Sequence, residues 1–282
     1  MIYLITISIY LFTLIGLGVY KSWKIKTQSD FSVAGRSLTP WVLVGTMLAT
    51  WIGTGSILGN AGKAYQTGLA ALMLPMGGVF GIIILTQIAG KVRAFEKFTV
   101  PEIIGDRYGS KARILSVIAL VIAYMVIVSY QFNAGGAVLK TVLQDGHGNP
   151  LITVQTGTII AAIFIIAYTM LAGLVSVAYT DVANGIIMTL ALAIAFPIFW
   201  LKAGGWSGME YSFGQMEKPE HMQFWGVYSG MDILNFCLPP FLLVLGDANM
   251  YQRFFASKDA KGAKKATTVL VVVIAIIEIL II

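Results

Sequence analysis

Charge is scarce in this 282-residue chain: only 11% of its residues are Asp, Glu, Lys or Arg, where a water-soluble domain carries roughly a quarter. That scarcity excludes an ordinary solvated surface. The single cysteine, Cys237, excludes a disulfide framework, and two histidines, His147 and His221, leave no imidazole or thiolate spacing for zinc. No phosphate loop, Ser/His pair or cluster of His, Asp and Glu marks a catalytic centre, so no enzyme is expected. What the chain has instead is apolar residues, 57% of the total, and a mean hydropathy of +0.82. Several apolar runs reach the roughly 20 residues that a helix needs to cross a bilayer core. The sequence therefore predicts an all-α, multi-pass integral membrane protein whose first partner is the lipid bilayer.

Eight candidate spans follow from apolar runs bounded by charge, Gly, Pro or Asn: 2–20, 42–67, 70–90, 114–142, 152–172, 177–201, 225–248 and 267–282. The first has no basic residue ahead of it, and Lys21, Lys24 and Lys26 behind it, which reads as a retained helix with its N-terminus outside. Alternation from that start puts 21–41, 91–113 and 249–266 in the cytoplasm. Of the 19 Lys and Arg, only Lys63, Lys140, Lys202 and Lys218 fall outside those three segments. Such one-sidedness is the positive-inside signature, so the net charge of +6 reads as orientation and not as a nucleic-acid surface. The last run, Thr267 to Ile282, is still apolar where the chain stops, which reads as a fragment of a longer protein.

Interrupted spans are functional candidates, because backbone that leaves helical geometry inside lipid must line a cavity or be covered by protein. Span two holds Thr50, Gly53, Thr54, Gly55, Ser56, Gly59, Asn60 and Gly62. Two readings fit: a break near Gly53 to Ser56, or a closely packed face on the GxxxG spacing of Gly55 and Gly59. Span seven holds Pro239-Pro240 in its middle and Asp247 and Asn249 at its end. The prolines predict a bend or break there. Broken helices in corresponding positions of two halves point to the binding site of an inverted-repeat transporter.

Ionisable and polar residues within spans each need an explanation. Ser229-Gly-Met-Asp232 reads as a capping box. Asp181, with Thr180 and Asn184 beside it, suits a hard cation, or equally an N-cap or interhelical hydrogen bond. Asp247 is either a helix-end group paired to Arg253 or a group facing the pathway. Tyr124 and Gln131 share one helical stripe of span four, and either line a cavity or bond between helices. Cys237 and the Met residues read as apolar filling, and His147 as part of a solvated turn.

Three stretches, in order along the chain, together resemble the sodium:solute symporter family: Asp30-Phe-Ser-Val-Ala-Gly-Arg-Ser-Leu38, then Tyr168-Thr-Met-Leu-Ala-Gly-Leu-Val-Ser176 followed by Tyr179-Thr-Asp181, then Gln252-Arg253-Phe-Phe-Ala-Ser-Lys258. Ala172 stands where that family more usually has Gly or Thr. The resemblance implies a leucine-transporter-type inverted-repeat fold with an extra N-terminal helix, here with about eight spans and an incomplete second repeat. On that division residues 1–41 hold the extra helix and its loop, 42–201 the first five-helix repeat, and 202–282 an external loop and the opening part of the second. It further implies Na+ as the coupling ion for uptake of a small organic solute across the plasma membrane by alternating access. The family's sodium ligands fall by register on the carbonyls of Ala49 and Ile52, and its second sodium position on Asp181. The substrate-facing positions fall at Ser56 and at Asp247 to Met250, Asn249 included. Further sodium-binding hydroxyls belong to a helix beyond Ile282, so the 282-residue chain alone is expected not to transport. A symporter-like sensor module of a signalling protein is the alternative.

Overall fold

The computed structural model describes residues 2–23, 25–145 and 147–282. Lys24 of the first basic loop and Gly146 of the His147 turn lie outside the described residues, as do the side chains of Lys21, Tyr168 and Ala172. Among the described residues there is no β-strand, only two isolated bridges, Leu38 with Ser257 and Gln144 with Pro150. The helices are α1 (Ile2–Ser22), α2 (Gln28–Val33), α3 (Pro40–Trp51), α4 (Ala61–Thr67), α5 (Met73–Ala94), α6 (Val100–Tyr108), α7 (Ser110–Val142), α8 (Val154–Lys202), α9 (Gly205–Gln215), α10 (Gly230–Gly246), α11 (Ala248–Ala256) and α12 (Ala260–Ile281). Every one of the eight expected spans is helical over most of its length.

The chain packs as two compact units, Met1–Arg36 with Lys97–Thr180, and Ser37–Glu96 with Asp181–Ile282. In the first unit α2 begins with a reciprocal cap: the Thr27 hydroxyl accepts from the Asp30 amide at 3.1 Å and the Asp30 carboxylate accepts from the Thr27 amide at 3.0 Å. Lys97 pairs with Asp106 at 2.6 Å. The long α7 exposes Ile118, Ile122, Met125 and Val126. At 1.5 Å per residue it is about 50 Å long, enough to cross a bilayer with its apolar surface turned to lipid. The expected gap between spans five and six is a single residue within α8, Gly173, at φ 56 and ψ 173. A side chain there would strain the backbone and also run into Ile25 and Phe31.

The second unit holds the core, where Leu43, Met47, Ile82, Leu85, Phe254, Phe255, Leu270 and Ile274 are buried. Close approach of α5 and α10 depends on missing side chains: a Cβ on Gly77 would lie 2.0 Å from the Cys237 carbonyl oxygen. The capping box at the start of α10 forms as expected, with Ser229 Oγ accepting from the Asp232 amide at 3.3 Å and Asp232 accepting from the Ser229 amide at 2.9 Å. Pro239 and Pro240 lie inside α10, which continues to Gly246. Proline's fixed φ is itself helical, so the pair removes two ladder donors without ending the helix. Termination falls instead at Asp247, whose ψ of 104 leaves helical geometry.

Four helical stretches among the described residues are long and apolar enough to cross a membrane: Gly55–Ala94, Ser110–Val142, Gly173–Lys202 and Gly230–Ala256. Ile5–Gly16, Pro40–Trp51 and Val154–Ala167 are shorter apolar helices.

Candidate functional site

The interruption expected in span two is present, slightly earlier than the glycine spacing suggests. Thr39 and Pro40 start α3, with proline at the first position where its missing N–H costs nothing. The helix runs to Trp51 and stops at Ile52, whose ψ of 87 carries the chain out of the ladder. The Gly53 amide then donates to the Trp51 carbonyl at 2.9 Å, two residues back, and not to Ala49 four residues back. Ala49 thereby loses its ladder partner. One π-helical turn, Gly55–Asn60, follows before α4 resumes. The alternative of a tightly packed small-residue face does not describe this segment, since a Cβ on Gly55, Gly59 or Gly62 would meet nothing within 4 Å.

Asp181 lies directly against α3. Its Oδ2 accepts from the Thr46 hydroxyl at 2.6 Å and from Arg253 Nη2 at 3.4 Å, while Oδ1 takes no partner among the described residues. The crossing is close because Gly45 has no side chain: a Cβ there would lie 2.7 Å from Val182 Cγ2. Of the bland readings of Asp181, the interhelical hydrogen bond is therefore realised, and the N-cap is not, since α8 runs through it. A free carboxylate oxygen and carbonyls released from a helix, on two elements in contact, are the hard oxygen donors that an alkali cation requires.

Ser56 donates its hydroxyl to the Trp51 carbonyl at 2.8 Å, so it caps the break and keeps acceptor lone pairs. Asp247 caps α11, its Oδ1 accepting from the Asn249 amide at 2.9 Å. Arg253, a partner of Asp247 in one of the two readings of that residue, makes its ion pair with Asp181 instead, because the short α11 turns its buried face, Met250, Arg253 and Phe254, toward the core that holds Asp181. Gln131 lies on α7 in the other unit. Ala49, Ile52, Ser56, Asp181, Asp247 and Asn249 all belong to one unit.

Sequence reading missed Glu278. It is 3% exposed on α12, and its Oε1 accepts from Trp51 Nε1 at 2.7 Å while its Oε2 accepts from Asn60 Nδ2 at 2.8 Å. The signal was available: a carboxylate within the apolar run 267–282 costs about 2.5 to 3.5 kcal/mol on insertion scales and so demands a reason. Thr46, which orients Asp181, carried no such signal. A cavity of about 300 Å³, lined by Tyr65, Phe213, Met216, Lys218 and His221 among others, includes none of the expected site residues.

Comparison with known proteins bears on this arrangement. The profile of the Sodium:solute symporter family matches residues 31–282. Sodium/proline symporters of Staphylococcus aureus, among them those of strains JH9 and COL, are 25% identical over 274 residues, covering 93% of this chain and 51% of theirs. The chain thus spans about half the length of the curated relatives it matches. A solved structure of a Na+-coupled sialic acid symporter, in a substrate-bound outward-open state, superposes with a TM-score of 0.82 at 19% identity, over 100% of this chain and 58% of that one. That likeness shows the all-helical membrane fold anticipated from the sequence.

Proposed function

The chain belongs to the sodium:solute symporter family, and from that membership we propose that the whole protein couples inward Na+ flux to uptake of a small organic solute by alternating access. The observation that carries the reading is the loss of helical geometry at Ile52 and Gly53, at the end of the helix whose Thr46 bonds the half-buried carboxylate of Asp181. The carbonyls of Ala49 and Ile52 are assigned as Na+ ligands, and Asp181 Oδ1 as the donor of a second Na+ position. Ser56, Gln131, Asp247 and Asn249 are assigned to the solute.

Partition of labour follows from the chemistry. Carbonyl oxygens carry partial charge and bind Na+ weakly enough to release it, whereas a full carboxylate binds more tightly and must be tempered. Arg253 does the tempering at Asp181, at 3.4 Å. The basic loops face the cytoplasm, the N-terminus lies outside, and the protein resides in the plasma membrane. Residues 1–41 form the extra helix, 42–201 the first repeat and 202–282 the start of the second.

Uptake into proteoliposomes by the whole protein, under an inward Na+ gradient and under an equal K+ gradient, tests the proposal. Accumulation driven by Na+ alone is the expected result; equal rates in both salts would sink it. Asp181→Asn is expected to raise the half-saturating Na+ concentration, and an unchanged value removes Asp181 from the site. Thermal shifts across solute classes, in Na+ and in K+, identify the solute by mass action.

A further inference from the structure

Glu278 bridges the two edges of the broken helix. Trp51 is the last residue of α3 before the interruption and Asn60 the last residue of the π turn after it, and one carboxylate on α12 takes a hydrogen bond from each, at 2.7 and 2.8 Å. We propose that Glu278 is a positioning residue that sets the geometry of the interruption, and through it the spacing of the Ala49 and Ile52 carbonyls. The inference rests on the Na+-coupled reading above and adds to it the helix that controls the ion site.

Three features of the geometry support the role. Glu278 and Asn60 are 3% and 8% exposed, so water does not substitute for either bond. Trp51 is held from other sides as well: its carbonyl takes both the Gly53 amide and the Ser56 hydroxyl, and its ring lies so close to Gly78 that a Cβ there would be 2.1 Å away. Glu278 has no ion pair among the described residues, so its bonding is devoted to the two edges. A rigid carboxylate spanning a gap transmits any shift of α12 to both edges at once, and ion ligation by carbonyls is sensitive to shifts of that kind.

The bridge and the charge are separable by substitution. Glu278→Gln keeps an acceptor for the donor-only indole of Trp51, and its amide can donate to Asn60 after that side chain turns over. Glu278→Ala removes both bonds. The measurement is Na+-dependent uptake by the whole protein in proteoliposomes, with half-saturating Na+ and maximal rate read separately. Glu278→Ala is expected to raise half-saturating Na+ by about tenfold or more, since misplaced ligands are costly. Glu278→Gln is expected to stay within about threefold of wild type, as the hydrogen bonds are conserved in number. Trp51→Phe and Asn60→Ala fall between, and they carry the test if Glu278→Ala does not reach the membrane. A Gln variant as impaired as Ala would show that charge matters and not the bridge. Unchanged Na+ dependence in Glu278→Ala, or in both Trp51→Phe and Asn60→Ala, would also overturn the proposal. Uptake by the wild-type protein that ignores Na+ would fail the coupled-transport reading itself, a distinct result.

Discussion

At Ile52 and Gly53 the flanks of the interruption are tied to a residue 227 positions from one and 218 from the other, Glu278. At Gly246 and Asp247 the repairs are local: Asp247 accepts from the Asn249 amide two residues on, and the Tyr251 hydroxyl donates to the Leu245 carbonyl six residues back. Both are gaps in apolar helices, yet one depends on tertiary packing and the other carries its own caps. A gap held from a distance opens or closes with the element that holds it. A self-capped gap keeps its shape while the element moves as a body. On this reading α12 governs the first interruption, whereas the second is held by residues of its own stretch.

One contact ties the two together, and breaking it should have the largest effect. Arg253, just past the second gap, pairs with Asp181, which bonds Thr46 just before the first. Arg253→Ala leaves the half-buried Asp181 carboxylate without its countercharge and is expected to cost about 3 kcal/mol, the low end for a broken buried pair. Adding Asp181→Asn to that variant should restore a good part of the loss. Thermal unfolding of the purified protein in detergent measures both, and a double variant no more stable than Arg253→Ala would detach the two gaps from each other.

The next comparison sets Trp51→Phe against Tyr251→Phe. Each removes one donor at one gap. Trp51 donates to a buried carboxylate, a bond of the charged class worth roughly 1.5 to 3 kcal/mol, while Tyr251 donates to a neutral carbonyl, worth about 0.5 to 1.5. The tryptophan variant should therefore unfold at the lower temperature. If the order reverses, the first gap does not depend on its distant partner.

Much of this contrast was legible in the residues. The break in span two was one of two readings of Gly53 through Gly62, because glycine weakens a helix and hydroxyls such as Ser56 can take up its freed groups, while the same glycines also fit a packed face. Ser229 and Asp232 announced their capping box by spacing alone. Pro239 and Pro240 misplaced the second gap by several residues, since proline marks lost ladder bonds and the end of α10 is decided by Asp247, a better cap than any residue before it. Partner choice was not legible. Arg253 reached Asp181 because of how α11 lies on the core, and Trp51 met Glu278 through a fold that no local pattern encodes. Gly173 hid in an apolar run because its role depends on a positive φ that only the packed backbone reveals.

A smaller effect is expected at Asp247, where capping and solute contact can be separated. Asp247→Ala removes the cap of α11 and should cost about 1 kcal/mol, whereas Asp247→Asn keeps a capping oxygen and should cost only a few tenths. If the charge itself meets the solute, both variants weaken uptake affinity to a similar degree despite their unequal stabilities. Solute half-saturation measured beside thermal unfolding separates the two roles. A loss of affinity that follows stability would reduce Asp247 to a cap.

The smallest effect belongs to a cap with no interruption to hold, the Thr27 and Asp30 box of α2. Thr27→Ala there should cost only about 0.5 kcal/mol, at the low end for lost caps, because the site is exposed. Hydrogen bonding from the Thr27 side chain, and then from the Lys26 and Thr27 amides, holds the Asp30 carboxyl below its ordinary value of 3.8. A depressed folded-state value means that the carboxylate's part of the cap is complete above the ordinary value and is lost as pH falls through the folded one. The difference between wild type and Thr27→Ala, read from amide exchange at Lys26 and Thr27, should therefore be flat near neutral pH and shrink only in strong acid, to the part carried by the Thr27 hydroxyl accepting from the Asp30 amide. A difference that shrinks already between pH 7 and 5 would mean that a group other than Asp30 closes this cap.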